Sequence, residues 1–280
     1  MSGGTFFVVA TPLGHLGDLS ARATEVLRSV AVVAAEDTRR TRALLSHLDA
    51  HPRLVSYHAH SGPRADAAIL EFLSQSQDVA LVTDAGTPAI SDPGSELVGR
   101  VREAGFRVVP IPGPSAVATA LSAAGLPADR YLFLGFLPRK GAERERLLAH
   151  LGHEEWTTVL FEAPGRLGEL LRDLARACGE DRRAVVAREL TKVHEELRSG
   201  TLGSLAQELG RGEDTRGECT VVVAGGPPAP PADRSADAQR AATRLLAEGL
   251  SRKAVAGVLA ELYALPRNTA YRVATKAPAG

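Results

Sequence analysis

The chain reads as α/β, with two α/β domains built on mainly parallel sheets and a small helical C-terminal module behind them. Three observations predict this. Short apolar runs alternate with helical patterns from Phe6 to Ala224, the order of repeated βα units. Two units are spelled out as strand, loop and helix. Val79 to Pro88 reads Val-Ala-Leu-Val-Thr-Asp-Ala-Gly-Thr-Pro and leads to Asp92-Pro93 and the spacing Leu97, Val98, Val101. Val108 to Ser115 reads Val-Val-Pro-Ile-Pro-Gly-Pro-Ser and leads to a second helix. The third observation is Gly225-Gly226-Pro227-Pro228-Ala229-Pro230-Pro231, a proline-dense spacer after which a new module begins.

Taken in order, strands are expected at Phe6–Ala10, Val30–Ala35, Leu54–Tyr57, Val79–Val82 and Val108–Ile111, with helices near 21–29, 38–48, 65–74 and 94–104. Asp92 reads as the cap of the last of these, with Pro93 at its first position. Ser115–Ala124 forms the bridging helix, closed by Gly125 where a left-handed residue favours glycine. Further strands follow at Tyr131–Phe136, Thr157–Phe161, Ala184–Ala187 and Thr220–Ala224, with helices near 142–151, 167–177 and 202–209. The boundaries are therefore 1–114 for an N-terminal α/β domain, 115–226 for a C-terminal one, 227–236 for a Pro-rich linker and 237–280 for the tail. Residues 237–276 carry seven Lys/Arg against three Asp/Glu on what reads as two short helices, which fits a solvated tail or a nucleic-acid contact.

A length of 280 residues exceeds one compact core. Lys+Arg and Asp+Glu balance at 33 each, so no global positive field exists, and nucleic acid would be met by local patches. The Phe6 to Ala10 run lacks the length and basic flank of a signal peptide, and no apolar stretch has membrane-spanning length, so the expected location is cytoplasmic with no membrane partner. Cys178 and Cys219 show no disulfide or metal spacing. Cys219, inside an apolar run, reads as a small buried residue.

Several chemistries lose their signatures. There is no Gly-x-x-x-x-Gly-Lys-Ser/Thr loop, no Gly-x-Gly-x-x-Gly after the first strand, no Gly-x-Ser-x-Gly and no His-Glu-x-x-His. His58 and His60 lack a third ligand, and no metal site is expected. What remains are loops at strand ends rich in small residues: Thr11-Pro12-Leu13-Gly14-His15-Leu16, Asp84 to Pro88, and Pro112-Gly113-Pro114-Ser115. They are tight βα turns that also suit a ligand held by main-chain groups.

With these loops come Ala34-Ala35-Glu36-Asp37-Thr38-Arg39, Asp92-Pro93-Gly94, Leu121-Ser122-Ala123-Ala124-Gly125-Leu126-Pro127, Gly135-Phe136-Leu137-Pro138 and Arg188-Glu189-Leu190-Thr191-Lys192. In this order the motifs resemble the RsmI family, bacterial 2'-O-ribose methyltransferases of a cytidine in 16S ribosomal RNA, within the tetrapyrrole methylase superfamily. The resemblance covers residues 5 to 226 strongly and the tail weakly. Two positions depart from the family pattern: Ala10 stands where the first loop usually opens with proline, and Phe161-Glu162-Ala163-Pro164-Gly165-Arg166 has Gly165 in place of histidine.

The resemblance implies a tetrapyrrole methylase-like, class III methyltransferase fold, a homodimer, and 16S rRNA in the small ribosomal subunit as partner. It implies S-adenosylmethionine folded in the cleft between the two domains. The contacts it implies are Pro12, Leu13 and Gly14, then Asp84, Ala85, Gly86, Thr87 and Pro88, then Ser115 and Ala116, and from the second domain Phe161, Glu162, Gly217, Cys219 and Thr220. For Asp84 the competing reading is a turn residue bonding its own backbone.

A ribose hydroxyl is a weak nucleophile and gains from a carboxylate within hydrogen-bond reach. Asp37 is the first candidate and Glu36 the second, since both end a strand at the sheet edge where ligands bind; Asp37 or Thr38 as a helix cap is the competing reading. Arg39 and Lys192, inside motifs, are read as substrate contacts, with Arg40 and Arg42 beside them. In a second basic group, Arg139, Lys140, Arg144 and Arg146, the last two alternate with Glu143 and Glu145 and read as a solvated helix face. Two rivals remain: a tetrapyrrole methylase sharing fold and cofactor, and a non-catalytic ribosome-assembly protein.

Overall fold

The computed structural model describes residues 3–209, 217–227, 234–263 and 265–277. These pack into two units, 1–226 and 227–280. The first unit opens with β1 (Thr5–Val9), α1 (Ala21–Ser29), β2 (Val32–Ala35), α2 (Thr38–His47), β3 (Arg53–Ser56), α3 (Pro63–Ser74), β4 (Val79–Val82), α4 (Ser95–Glu103) and β5 (Arg107–Ile111). Their sheet runs β3-β2-β4-β1-β5 and every pairing is parallel. β2 and β4 are buried at every residue, as strands covered on both faces must be, and consist wholly of Val, Ala and Leu. Leu27 of α1 and Leu45 of α2 cover one face; Ile69 and Leu73 of α3 with Leu97 and Val101 of α4 cover the other.

The second half follows with α5 (Ala116–Ala124), β6 (Tyr131–Phe136), α6 (Ala142–Gly152), β7 (Thr157–Glu162), α7 (Pro164–Cys178), β8 (Arg183–Arg188), β9 (Glu196–Thr201), α8 (Leu202–Leu209) and β10 (Cys219–Val223), in the sheet order β6-β7-β10-β8-β9. Leu167, Leu170, Leu171 and Leu174 recur at helical spacing along α7 and are buried against one face. Val117, Ala120, Leu121 and Ala124 of α5 cover the other, together with Leu13 from the first loop.

Four sequence expectations change in this first unit. The second sheet is mixed, with only β6–β7 parallel and β7–β10, β8–β10 and β8–β9 antiparallel. The seven residues between Arg188 and Glu196 are too few for a parallel crossover, so β9 turns back on β8, and α8 then returns β10 in the reversed direction. β9 itself was not expected: its Glu-Leu-Arg-Ser-Gly-Thr sequence lies on the sheet edge, largely exposed, without apolar alternation. The helix after the fourth strand begins at Ser95 behind Gly94 (φ 131°), so Asp92 sits in the preceding turn and caps nothing. Arg144 is buried rather than solvated, bonded to Asp173 at 2.7 Å and to the Pro138 carbonyl at 3.0 Å.

Among its described residues the second unit contains three helices rather than two, α9 (Arg234–Ala247), α10 (Arg252–Leu262) and α11 (Arg267–Lys276), around Ala238, Ala242, Val255, Leu259, Ala270 and Ala274. Pro266 splits what the sequence pattern joins. Residues 228–233 of the expected linker lie outside the described residues. Among the described residues no helix is long and apolar enough to cross a membrane.

Candidate active site

In the first sheet the chain leaves β1 toward α1 on one face and β4 toward α4 on the other, so the carboxyl ends of these adjacent strands part at a switch point. The two loops are stitched across it. The Thr11 amide donates to the Gly86 carbonyl at 2.9 Å, the Gly86 amide donates to the Thr11 carbonyl at 3.0 Å, and the Thr11 hydroxyl donates to the Thr83 carbonyl at 3.0 Å. Gly86 sits at φ 84°, a conformation costly for any other residue. Thr87 donates its hydroxyl to the Pro114 carbonyl at 3.1 Å, which ties in the β5 loop.

The β2 end joins the same construction. Asp84 accepts the Asp37 amide at 3.1 Å and pairs with Arg40 at 3.3 Å, while the Thr83 hydroxyl donates to Glu36 Oε2 at 2.9 Å. Asp37 is the N-cap of α2: its carboxylate accepts the Arg39 amide at 2.8 Å and is gripped by the Arg39 guanidinium, also at 2.8 Å. That guanidinium holds the Asp37 carboxyl well below the usual carboxylate range. The capping reading is thus the one seen, and a carboxylate so fully engaged is a poor proton acceptor.

From the second half, Phe161 and Glu162 end β7, and Gly217 to Thr220 lead into β10. Phe161 packs edge-on to Phe133 and Phe136 at 5.0 and 5.7 Å. Glu162 is buried, bonds the Ala163 amide at 2.8 Å and pairs with Arg166 at 2.5 Å. A Cβ at Gly217 (φ 105°) would lie 2.7 Å from Glu189. Lys192 bridges Glu189 at 2.9 Å and Glu218 at 3.3 Å. Burial opposes both charges, yet the pairing lowers the Glu189 carboxyl and raises the Lys192 ammonium from their ordinary values. The His15 amide donates to Thr191 Oγ1 at 3.1 Å, and a Cβ on Gly14 would collide with Lys192, so the first loop lies directly against the 188–192 loop.

Between these walls is a cavity of about 370 Å³. Of the residues read from sequence, Leu13, Glu36, Asp84, Ala85, Gly86, Thr87, Ser115, Ala116, Phe161, Glu162, Gly217, Cys219 and Thr220 line it. Pro12 and Gly14 line a neighbouring cavity of about 260 Å³, which shares Leu13, Arg40, Thr83 and Asp84 with the first. Pro88, Asp37, Arg39 and Lys192 belong to neither lining. Sequence reasoning missed Ile90, Ser91, Asp92, Val117, Phe136 and Ala163 as lining residues. The loop carrying the first three was legible, but its inward turn depends on Ala89 and Ser91 at φ 68° and 60°.

The cavity lining carries the carboxylates of Glu36, Asp84, Asp92, Glu162 and Glu218 and the cation of Arg40, with Arg166 and Lys192 pairing Glu162 and Glu218 from outside the lining, beside apolar Leu13, Val117 and Phe161. This donor set fits S-adenosylmethionine, whose sulfonium and ammonium are positive and whose adenine offers a flat face to apolar side chains. Burial pushes the Asp92 carboxyl up to about 6; a hydrogen bond with Thr83 opposes the rise, and the charges of Glu36, Asp84 and Glu218 add to it. Burial likewise pushes the Cys219 thiol up to about 11, so it is protonated and inert as a nucleophile. Among the described residues no group of three His, Cys, Asp or Glu is placed to hold a metal.

The family model for tetrapyrrole (corrin/porphyrin) methylases matches residues 5–206. The chain is 46% identical over 277 residues to "Ribosomal RNA small subunit methyltransferase I" of Pseudomonas aeruginosa, covering 98% of each. It is 45% identical over 272 residues to the protein so named from Xylella fastidiosa, covering 96% of this chain and 98% of that one. It is 42% identical over 273 residues to its counterpart from Escherichia coli O157:H7, covering 98% and 95%. Among solved structures, a cobalt precorrin-4 methyltransferase superposes with a TM-score of 0.62 at 17% identity, covering 79% of this chain and 94% of that one. A uroporphyrin-III C-methyltransferase from Thermus thermophilus, complexed with S-adenosylhomocysteine, gives 0.58 at 18% identity, covering 79% and 97%. At these identities the structures speak to the fold alone.

Proposed function

We infer the reaction from the family: the chain belongs to the tetrapyrrole methylases and, within them, to the ribosomal RNA small subunit methyltransferase I family. It is an S-adenosylmethionine-dependent methyltransferase, and the reading proposed here is 2'-O-methylation of a cytidine ribose in 16S rRNA of the small subunit, cytidine 1402 by the resemblance. The observation that carries the reading is one cavity, walled by loops from both sheets, in which carboxylates outnumber cations and main-chain groups are fixed by the Thr11–Gly86 stitch.

S-adenosylmethionine supplies an electrophilic methyl group on a positively charged sulfur. The protein's part is alignment and the exclusion of water. Ala85, Gly86 and Thr87 present main-chain groups from a loop that cannot shift without breaking the stitch. Leu13, Val117 and Phe161 give the apolar wall, and Glu36, Asp84, Glu162 and Glu218 face positive charge. Asp37 is assigned to hold Arg39 at the mouth, where Arg39 and Lys192 meet RNA phosphate; Pro12, Gly14 and Pro88 shape the loops from behind. The proposal also divides the body at 114/115 into two domains, with 227–236 as linker and 237–280 as tail, and places the enzyme in a homodimer.

The test offers labelled S-adenosylmethionine with three acceptors: small subunits lacking the modification, naked 16S rRNA, and uroporphyrinogen or a precorrin. Label entering subunits or 16S rRNA supports the reading. Label entering a tetrapyrrole replaces it with the superfamily's other chemistry, and label entering none favours a binding protein.

A further inference from the structure

Asp92 sits at a place built with some strain. Ala89 and Ser91 on either side of Ile90 adopt left-handed φ of 68° and 60°, and Gly94 adopts 131° where a Cβ would strike Leu81 at 2.6 Å. Non-glycine residues held this way cost stability and concentrate where the surroundings impose a purpose. Here the result is a short turn that brings the Asp92 carboxyl into the cavity, facing Glu36 from the end of β2, Thr83 and Asp84 from the end of β4, and Glu218 from the approach to β10. The cation on the same wall, Arg40, is already paired with Asp84.

The hydrogen bonding of Thr83 gives Asp92 a direction. The Thr83 hydroxyl donates to Glu36 Oε2 at 2.9 Å, and its hydrogen bond to Asp92 favours the Asp92 carboxylate over the protonated form.

Resting on the methyl-transfer reading above, we propose that Asp92 is the catalytic proton acceptor, with Thr83, itself bonded to Glu36, as a positioning residue that holds the Asp92 carboxylate in the cavity. The ribose 2'-oxygen bonds to the methyl carbon as the carbon–sulfur bond breaks with its electron pair going to sulfur. The hydroxyl proton passes to the Asp92 carboxylate and later to solvent. The burial and neighbouring charges that raise Asp92 to about 6 match it to this task, since a base titrating near working pH combines correct ionisation with useful basicity. The positive charge arriving with the cofactor favours the carboxylate form, so the base is ionised when the acceptor arrives.

The test has a readout that needs no turnover. Carbon-13 titration of the aspartate carboxyls in the enzyme alone, assigned by comparison with Asp92→Asn, places Asp92 near 6; an ordinary value near 4 overturns the assignment. In kinetics with small subunits, Asp92→Asn lowers kcat by about 100-fold or more. It removes the acidic limb of the kcat/KM profile and lowers S-adenosylmethionine affinity, read by calorimetry, far less than turnover. Thr83→Val removes a hydrogen bond that favours the Asp92 carboxylate and moves the limb to higher pH, whereas a limb unmoved or lowered overturns the positioning role of Thr83. Wild-type enzyme that transfers no methyl to RNA fails the functional reading itself. Active wild type with an equally active Asp92→Asn fails the Asp92 assignment alone.

Discussion

Thr11 and Gly86 exchange both backbone hydrogen bonds, at 2.9 and 3.0 Å, in an antiparallel bridge at the carboxyl edge of an all-parallel sheet. The bridge locks the β1 and β4 loops together where the sheet's connections diverge, and so fixes one wall of the cavity before any ligand arrives. Preorganisation of this kind spares the ordering cost at binding.

Gly86→Val tests the stitch. At φ 84° a β-branched residue costs about 1–2 kcal/mol, and its Cβ would stand 3.4 Å from Leu13 Cδ2 with further methyls entering the cavity. The expected outcome is a lower melting temperature and an S-adenosylmethionine affinity reduced about tenfold, measured by calorimetry. Unchanged affinity would show that the loop does not carry the cofactor.

Asp84→Asn tests the charge of the wall. The substitution keeps an acceptor for the Asp37 amide but leaves Arg40 without its partner beside a site for a cation. Affinity for S-adenosylmethionine should fall by about tenfold, with affinity for the neutral-sulfur product S-adenosylhomocysteine falling less.

Asp37→Ala tests the capping role. The folded carboxyl is held below its ordinary 3.8 by the Arg39 side chain, so its stabilisation is complete above that value and disappears as pH falls through the folded pKa. Melting curves of wild type and variant should differ most near neutral pH and converge in acid. A gap that widens as pH falls below 3.8 would contradict the sign.

Leu170→Ala tests the second core. Leu170 is fully buried in the α7 stripe, and its truncation should cost about 2–5 kcal/mol in denaturant unfolding. Cofactor affinity per folded molecule should be unchanged, because Leu170 lies on the face of the second sheet away from α5 and Leu13.

The parallel half was legible because its signals are local. Val79 to Val82 is apolar throughout and Thr83 to Pro88 carries its own turn chemistry, so strand, loop and site loop follow from adjacent residues. The antiparallel character of β10 was not, because strand direction there depends on the short β8–β9 connection and not on β10's own Cys-Thr-Val-Val-Val. Asp92 was misplaced because Asp-Pro opens helices often, and Gly94 with its positive φ intervenes. Asp37 was ambiguous for a physical reason: one position, at a strand end before a helix, serves equally for a cap and for a base. Phe136 joins the cavity from the other half of the chain, and no local pattern encodes that meeting.

The central claim is transfer of a methyl group to a ribose oxygen of small-subunit rRNA. The most direct measurement is nucleoside analysis of 16S rRNA recovered from subunits incubated with this enzyme and methyl-labelled S-adenosylmethionine, after nuclease digestion and mapping of the labelled fragment. The account predicts label in 2'-O-methylcytidine, at one position, in a linkage that resists alkaline cleavage. Label on a base, on several nucleotides without preference, or absent from the RNA while the cofactor still binds would contradict it.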